Sequence, residues 1–161
     1  EAISEVKRHI EDITVTIVGE GDERERLIFA AYQLGVLERV NFVGRQEHDM
    51  IQSIMQTHEV FIQYSHQEGF CNAALEAQAA GLLCVVSDAD GLQENVLDKK
   101  TGWVVPKRNP AALALKLIEV LRLPELEKKK ITEQAQTRVQ QEFNLEKQQQ
   151  EFVDFYTEGL A

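Results

Sequence analysis

Hydrophobic positions along this chain alternate between two periods. In the first ten residues Ile3, Val6 and Ile10 recur at helical spacing, which predicts that the chain opens within or beside a helix. Residues 13–19 (ITVTIVG) are rich in β-branched side chains and run into Gly-Glu-Gly-Asp, a strand stopping at a turn. The alternation continues with a helix over 22–35 ending at Gly35, a strand at 40–44, a helix over 46–57 and a strand at 59–64. After the loop SHQEGF, a small-residue helix over 71–80 is closed by Gly81. The apolar run 82–87 (LLCVVS) then reads as a strand buried on both faces. A last short strand is expected at 102–105, followed by a helix from Pro110 to Arg122.

Strands alternating with helices through short connections predict right-handed crossovers and an α/β fold, a doubly wound and mostly parallel sheet. Residues 124–160 are polar, Gln-rich and helical in pattern, with Leu126, Ile131, Val139, Phe143, Phe152, Phe155 and Tyr156 as anchors. The predicted division is therefore a sheet domain over 1–122 and a C-terminal helical extension of the same domain over 123–161.

Length and charge narrow the picture. A chain of 161 residues fits one domain with a real core. No apolar run approaches the roughly 20 residues that span a bilayer, so no transmembrane segment is expected. Two cysteines, Cys71 and Cys84, are too few for a disulfide framework, and a reduced, cytoplasmic setting is the simplest expectation. Twenty-seven acids against seventeen bases give a net charge of −10, which argues against a nucleic-acid surface. Any phosphate ligand must then draw its positive potential from backbone dipoles or from groups outside this sequence.

The loop and helix over 65–81 (SHQEGFCNAALEAQAAG) carry the candidate chemistry. In open parallel sheets ligands bind where strands end and helices begin. Gly69 lets the backbone come close to a ligand. A helix starting at Cys71 or Asn72 offers unpaired N–H groups and a partial positive charge of about half a unit. Such an end holds phosphate without a basic side chain. Glu68 precedes this helix start, and Glu76 follows it by about 6–8 Å along the axis. A diphosphate at the helix end could meet one carboxylate on each side, and carboxylates accept hydrogen bonds from vicinal sugar hydroxyls. The same residues also fit a plainer reading, in which an acid merely complements the dipole and an Ala-rich helix packs closely on a sheet.

Several separate motifs resemble one known family. Ser65, Glu68-Gly69-Phe70-Cys71-Asn72, Glu76-Ala77, Gly81 and Val85-Val86-Ser87 are similar to the Glu, seven residues, Glu signature of the family-four retaining glycosyltransferases. Ile17 to Gly21, Phe42-Val43-Gly44, Asp90-Gly91 with Glu94-Asn95-Val96, and Thr101 to Val105 extend the resemblance over 13–122. It implies the Rossmann-like, donor-binding half of a GT-B fold and hexosyl transfer from a nucleotide-diphosphate sugar with retention. It further implies no cofactor and no bound metal. Glu68 would contact hydroxyls of the transferred sugar and Glu76 the ribose. Backbone around Gly69, Phe70, Cys71 and Asn72 would hold sugar and diphosphate, with Gly44 and Arg45 near the base. The acceptor, a glycan or glycolipid in polysaccharide or glycolipid assembly, would bind through an N-terminal domain. Peripheral contact at the inner membrane face would belong to that part, and residues 1–161 alone are expected to be inactive.

Some family features are missing. Leu83 and Tyr64-Ser65 stand where the family usually has Pro and Pro-Ser. No segment before Ile13 matches the family's first strand with its Gly-Arg and Lys-Gly cations, so a gap in the sheet is expected. The alternatives are a non-catalytic nucleotide-sugar-binding module and a protein-interaction domain of the same fold.

Other motifs are assigned to structure. Asp88-Ala89-Asp90 is expected to be a solvated turn, and Gly19-Glu20-Gly21 a tight turn. His9, His48, His58 and His66 are expected at the surface. Cys71, at a helix start, is expected to have a lowered pKa but no catalytic triad.

Overall fold

A computed structural model describes residues 1–144 and 149. Among the described residues five strands alternate with helices: α1 (Ala2–Lys7), β1 (Val15–Val18), α2 (Arg24–Gln33), β2 (Val40–Gly44), α3 (His48–Gln56), β3 (Val60–Gln63), α4 (Asn72–Ala79), β4 (Leu83–Ser87), α5 (Asp90–Asn95), β5 (Trp103–Val105), α6 (Pro110–Leu121) and α7 (Glu125–Glu142). A 3₁₀ turn, Leu37–Arg39, leads into β2. All pairings are parallel. The doubly wound α/β reading holds, with one element more than the periodicity showed. Helix α5 is six residues long with Gly91 second, too short to display a helical period.

The strands form two sheets, β1–β2 and β3–β4–β5. The expected gap lies between β1 and β3, and among the described residues no strand pairs with the facing edge of either. One side chain bridges the sheets there. His58 places Nδ1 2.7 Å from the Ile54 carbonyl and Nε2 2.9 Å from Thr16 Oγ1 on β1. The expectation of a surface histidine is therefore corrected: His58 is half-buried because it joins the end of α3 to the neighbouring sheet.

The core surrounds β4, which buries all five of its residues. The strand's period of two sends Leu83 and Val85 to one face, where they meet Val6 of α1 and Leu113, Leu117 and Val120 of α6. Cys84 and Val86 face the other way, against Ala74 and Ala77 of α4 and Leu92 of α5. Ala74 and Ala77 leave no accessible surface, so the small residues of α4 let that helix sit close on the sheet. Helix α6 begins as expected, with Pro110 in its first turn and Asn109 Oδ1 accepting from the Ala112 N–H.

Helix α7 packs across α4, burying Ala135 and half-burying Ile131 and Val139. Lys128 ties its first turns to Glu59 at the start of β3. Leu126 is 80% exposed, which corrects its place among the anchors: it lies on the solvent side of the first turn. Phe152, Phe155 and Tyr156 fall outside the described residues. Among the described residues no helix is long and apolar enough to cross a membrane.

Candidate functional site

The loop from Tyr64 to Cys71 leaves the carboxyl end of β3 and turns into α4. Its shape follows from side-chain anchors. Ser87 at the end of β4 donates its hydroxyl to the Ser65 carbonyl. Ser65 Oγ then donates to Glu68 Oε2 at 3.0 Å, and Gln63 Nε2 reaches the same oxygen at 3.3 Å. Both bonds fall on one carboxylate oxygen, so the half-buried Glu68 side chain is held against the strand ends. Tyr64, where the resemblance leads one to expect proline, also has a defined task. Its hydroxyl donates to the Pro106 carbonyl and accepts from the Asn109 N–H, both at 2.7 Å, which latches the β5–α6 loop to the end of β3.

Helix α5 grips the loop from the other side. The Gly91 N–H donates to the Glu68 carbonyl at 3.2 Å. A Cβ on Gly91 would lie 1.0 Å from the Gly69 carbonyl oxygen, so only glycine fits where these backbones cross. At the far end of α5, the buried Asn95 Oδ1 accepts from the Cys71 N–H at 3.0 Å. Cys71 was expected to lend its amide to a ligand; that amide is engaged by Asn95, because Cys71 is the extended residue preceding the helix. The helix start at Asn72, which is exposed, faces solvent.

The two candidate carboxylates bear on a common point. The Cys71 thiol is pushed above its ordinary pKa, first by burial and further by Glu68 and Glu76, against the lowering effect of the Ala74 and Ala73 amides. The expected lowering is thus reversed: desolvation outweighs the helix end. Glu68 lies in the loop just before α4 and Glu76 in its second turn, so the two carboxylates flank the helix start. Among the described residues the Glu76 side chain has no hydrogen-bond or ion-pair partner. Gly69 and Phe70 are exposed, and the Phe70 ring packs 5.9 Å from Phe143 beyond the end of α7.

Gly44 and Arg45 stand at the carboxyl end of β2, in the other sheet. Gly44 has φ +70° and accepts from the Gly19 N–H at 2.8 Å, which pins the Gly19-Glu20-Gly21 turn. Arg45 is exposed. No hydrogen bond or ion pair among the described residues joins either to the Glu68 loop. His66 is exposed on the loop. Asp88 Oδ1 accepts from the Lys107 N–H at 2.8 Å and Asp90 opens α5, so the Asp88-Ala89-Asp90 run shapes backbone. Sequence reasoning missed Gln63, Asn95 and Arg138 as neighbours of the loop. The Glu94-Asn95 pair within a matching motif was the one signal for Asn95.

Comparison with known proteins gives a consistent result. Residues 1–138 match the family model described as "Glycosyl transferases group 1". A glycogen synthase from Mycobacterium tuberculosis is 35% identical over 123 residues, 76% of this chain and 30% of that protein. This chain spans about a third of the length of the curated relatives it matches. Among solved structures, the sucrose-phosphate synthase of Thermosynechococcus elongatus superposes with TM-score 0.87 at 26% identity, covering 99% of this chain and 42% of that one. Anabaena HepE, solved in complex with UDP-glucose, shares the fold with TM-score 0.85 at 21% identity over 98% of this chain and 44% of its own.

Proposed function

The chain belongs to the group 1 glycosyl transferases, and from that premise we propose that it is the donor-binding half of a retaining enzyme. The reaction moves a hexosyl group from a nucleotide-diphosphate sugar to an acceptor glycan or glycolipid on the cytoplasmic side. The observation that carries this reading is the pair of carboxylates flanking one helix start, Glu68 held in the loop by Ser65 and Gln63 and Glu76 in the second turn of α4. HepE's complex with UDP-glucose supports a sugar nucleotide as the ligand class.

In this reading the exposed start of α4 at Asn72 faces the diphosphate, and its dipole supplies part of the positive potential that a chain of net charge −10 lacks. Glu68, with Oε2 already engaged by Ser65 and Gln63, turns Oε1 to the hydroxyls of the sugar. Glu76 accepts from the ribose hydroxyls. The loop backbone at Gly69 and Phe70 lies against the sugar, and Gly44 and Arg45 flank the base. Glu68 orients the sugar and stabilises positive charge developing at its anomeric carbon; it is not assigned as a nucleophile. Fixed dipoles and cations from the remainder of the polypeptide stabilise the departing diphosphate. No metal or cofactor is given a role.

Two measurements test the reading. A thermal-shift series with UDP, GDP, ADP and their sugars should raise the melting temperature by about a few degrees at millimolar ligand for one base. In the intact protein, Glu68→Ala should remove most transferase activity while leaving the unfolding transition in place. Activity within a few-fold of the parent would refute the role of Glu68. A complete absence of ligand response would favour a protein-interaction domain of this fold.

A further inference from the structure

Helix α5 touches both ends of the Glu68–Cys71 loop, through Gly91 at its start and Asn95 at its end. What holds α5 in turn is therefore relevant to the loop. A six-residue helix leaves its last carbonyls without intrahelical partners. Here they are taken by one side chain of α7. Arg138 Nη1 donates to the Asn95 carbonyl at 2.8 Å and Nη2 to the Glu94 carbonyl at 2.9 Å. The planar guanidinium holds two N–H groups in a fixed fork that suits two successive carbonyls, a geometry that the single nitrogen of a lysine does not preorganise. The rest of the group is equally determined. Nε donates to Glu142 Oε2 at 2.7 Å, the guanidinium carbon lies 4.9 Å from the Phe143 ring centre, and the side chain is only 13% exposed.

A chain of contacts thus runs from α7 to the loop by two routes. One passes from Arg138 through the backbone of Glu94 and Asn95 to the Asn95 carboxamide, and so to the Cys71 N–H. The other passes from Arg138 to the Phe143 ring beneath it and on to the Phe70 ring. Gln78 Nε2 also donates to the Asn95 carbonyl, at 3.0 Å, so Asn95 has an anchor on the α4 side that survives loss of Arg138. Glu94 has no such second anchor among the described residues. Glu68 keeps its carboxylate held by Ser65 and Gln63, independently of α7.

We infer that Arg138 is a positioning residue for the donor loop: it fixes the end of α5, and thereby the backbone from Gly69 to Cys71, without touching the donor. This rests on the donor-binding reading above. Because the loop backbone contacts sugar and diphosphate before and during transfer alike, loosening it weakens binding in the ground and transition states together. The effect then falls on KM for the nucleotide sugar, with kcat largely kept.

The test compares Arg138→Ala, Arg138→Lys and Lys128→Ala in the intact protein. Lys128→Ala breaks a different tether of α7, to Glu59 at the opposite end of β3 from the loop. The expected result is a donor KM raised about tenfold by Arg138→Ala, kcat within about threefold of the parent, an intermediate KM for Arg138→Lys, and a parental KM for Lys128→Ala. If Arg138→Ala and Lys128→Ala lower the melting temperature alike and both keep the parental KM, Arg138 merely fastens α7 and the inference is wrong. Hydrogen exchange of the Cys71 and Gly91 amides in the ligand-free protein separates this failure from that of the donor reading. Faster exchange in Arg138→Ala, with β4 amides unchanged, supports the tether whatever the ligand. Unchanged exchange overturns it even where the parent binds a sugar nucleotide.

Discussion

Strand β4 buries every residue it has, whereas β1, whose four residues are all β-branched, buries none. The helices follow the same division. Helix α6 buries five side chains against the three-stranded sheet, while α2 buries only Ala31 and leaves Phe29 and Tyr32 62% and 67% exposed. The difference does not lie in strand propensity but in what covers each sheet. The β3–β4–β5 sheet has α1 and α6 on one face and α4 and α5 on the other; β1–β2 has a bare edge toward the gap and a poorly packed α2. Glu68 and Glu76 are built on the well-covered half, where side-chain geometry is held by packing. Gly44 and Arg45 belong to the looser half, whose amides should open with lower free energy.

The most forceful way to break this comparison is to truncate one apolar residue in each half. Leu83→Ala should cost about 2–5 kcal/mol, because the side chain is 2% exposed and its neighbours cannot collapse fully into the void. Phe29→Ala should stay within about 0.5 kcal/mol. Equal shifts in the urea midpoint would abolish the distinction between the two sheets.

A smaller effect is expected at the crossing of α5 with the loop. Gly91→Ala should destabilise by about 1–3 kcal/mol, since the new methyl group would displace the Gly69 carbonyl. It should also weaken nucleotide-sugar binding, whereas Gly21→Ala, where a Cβ meets nothing within 4 Å, should do neither. Calorimetric unfolding with and without UDP would check both.

The mildest test concerns the thiols. Burial raises the pKa of both Cys71 and Cys84. With the folded value above the unfolded one, each contributes stability that is fully present below the ordinary thiol value of about 8.5 and is lost as pH rises through the folded value. At pH 8 a disulfide reagent should modify Cys71 several-fold more slowly than a free peptide thiol, and Cys84 only on unfolding. Rapid labelling of Cys84 in the native protein would show that the covered half opens as readily as the other.

These contrasts also show what the sequence could reveal. Periods of two and 3.6 located every strand and all helices but α5, because those patterns record which face is buried. The Glu68 and Glu76 spacing was legible for the same reason: one loop and one helix carry both. Asn95, Gln63 and Arg138 were not legible. Arg138 and Asn95 act through a contact 43 residues apart in sequence, and Gln63 through a side-chain bond to the loop that follows it, neither of which hydrophobic periodicity encodes. The thiol of Cys71 was misjudged because position at a helix start is readable and degree of burial is not.

The interruption between β1 and β3 has a practical consequence for handling this chain by itself. Among the described residues, Val15–Val18 and Val60–Gln63 each present an unpaired main-chain edge along a mostly apolar, uncharged, proline-free run. Such borders template pairing with further copies. In concentrated samples, self-association should therefore start at these two rims, ahead of any contact made by the charged helical exterior, and a peptide capable of completing the ladder should suppress it.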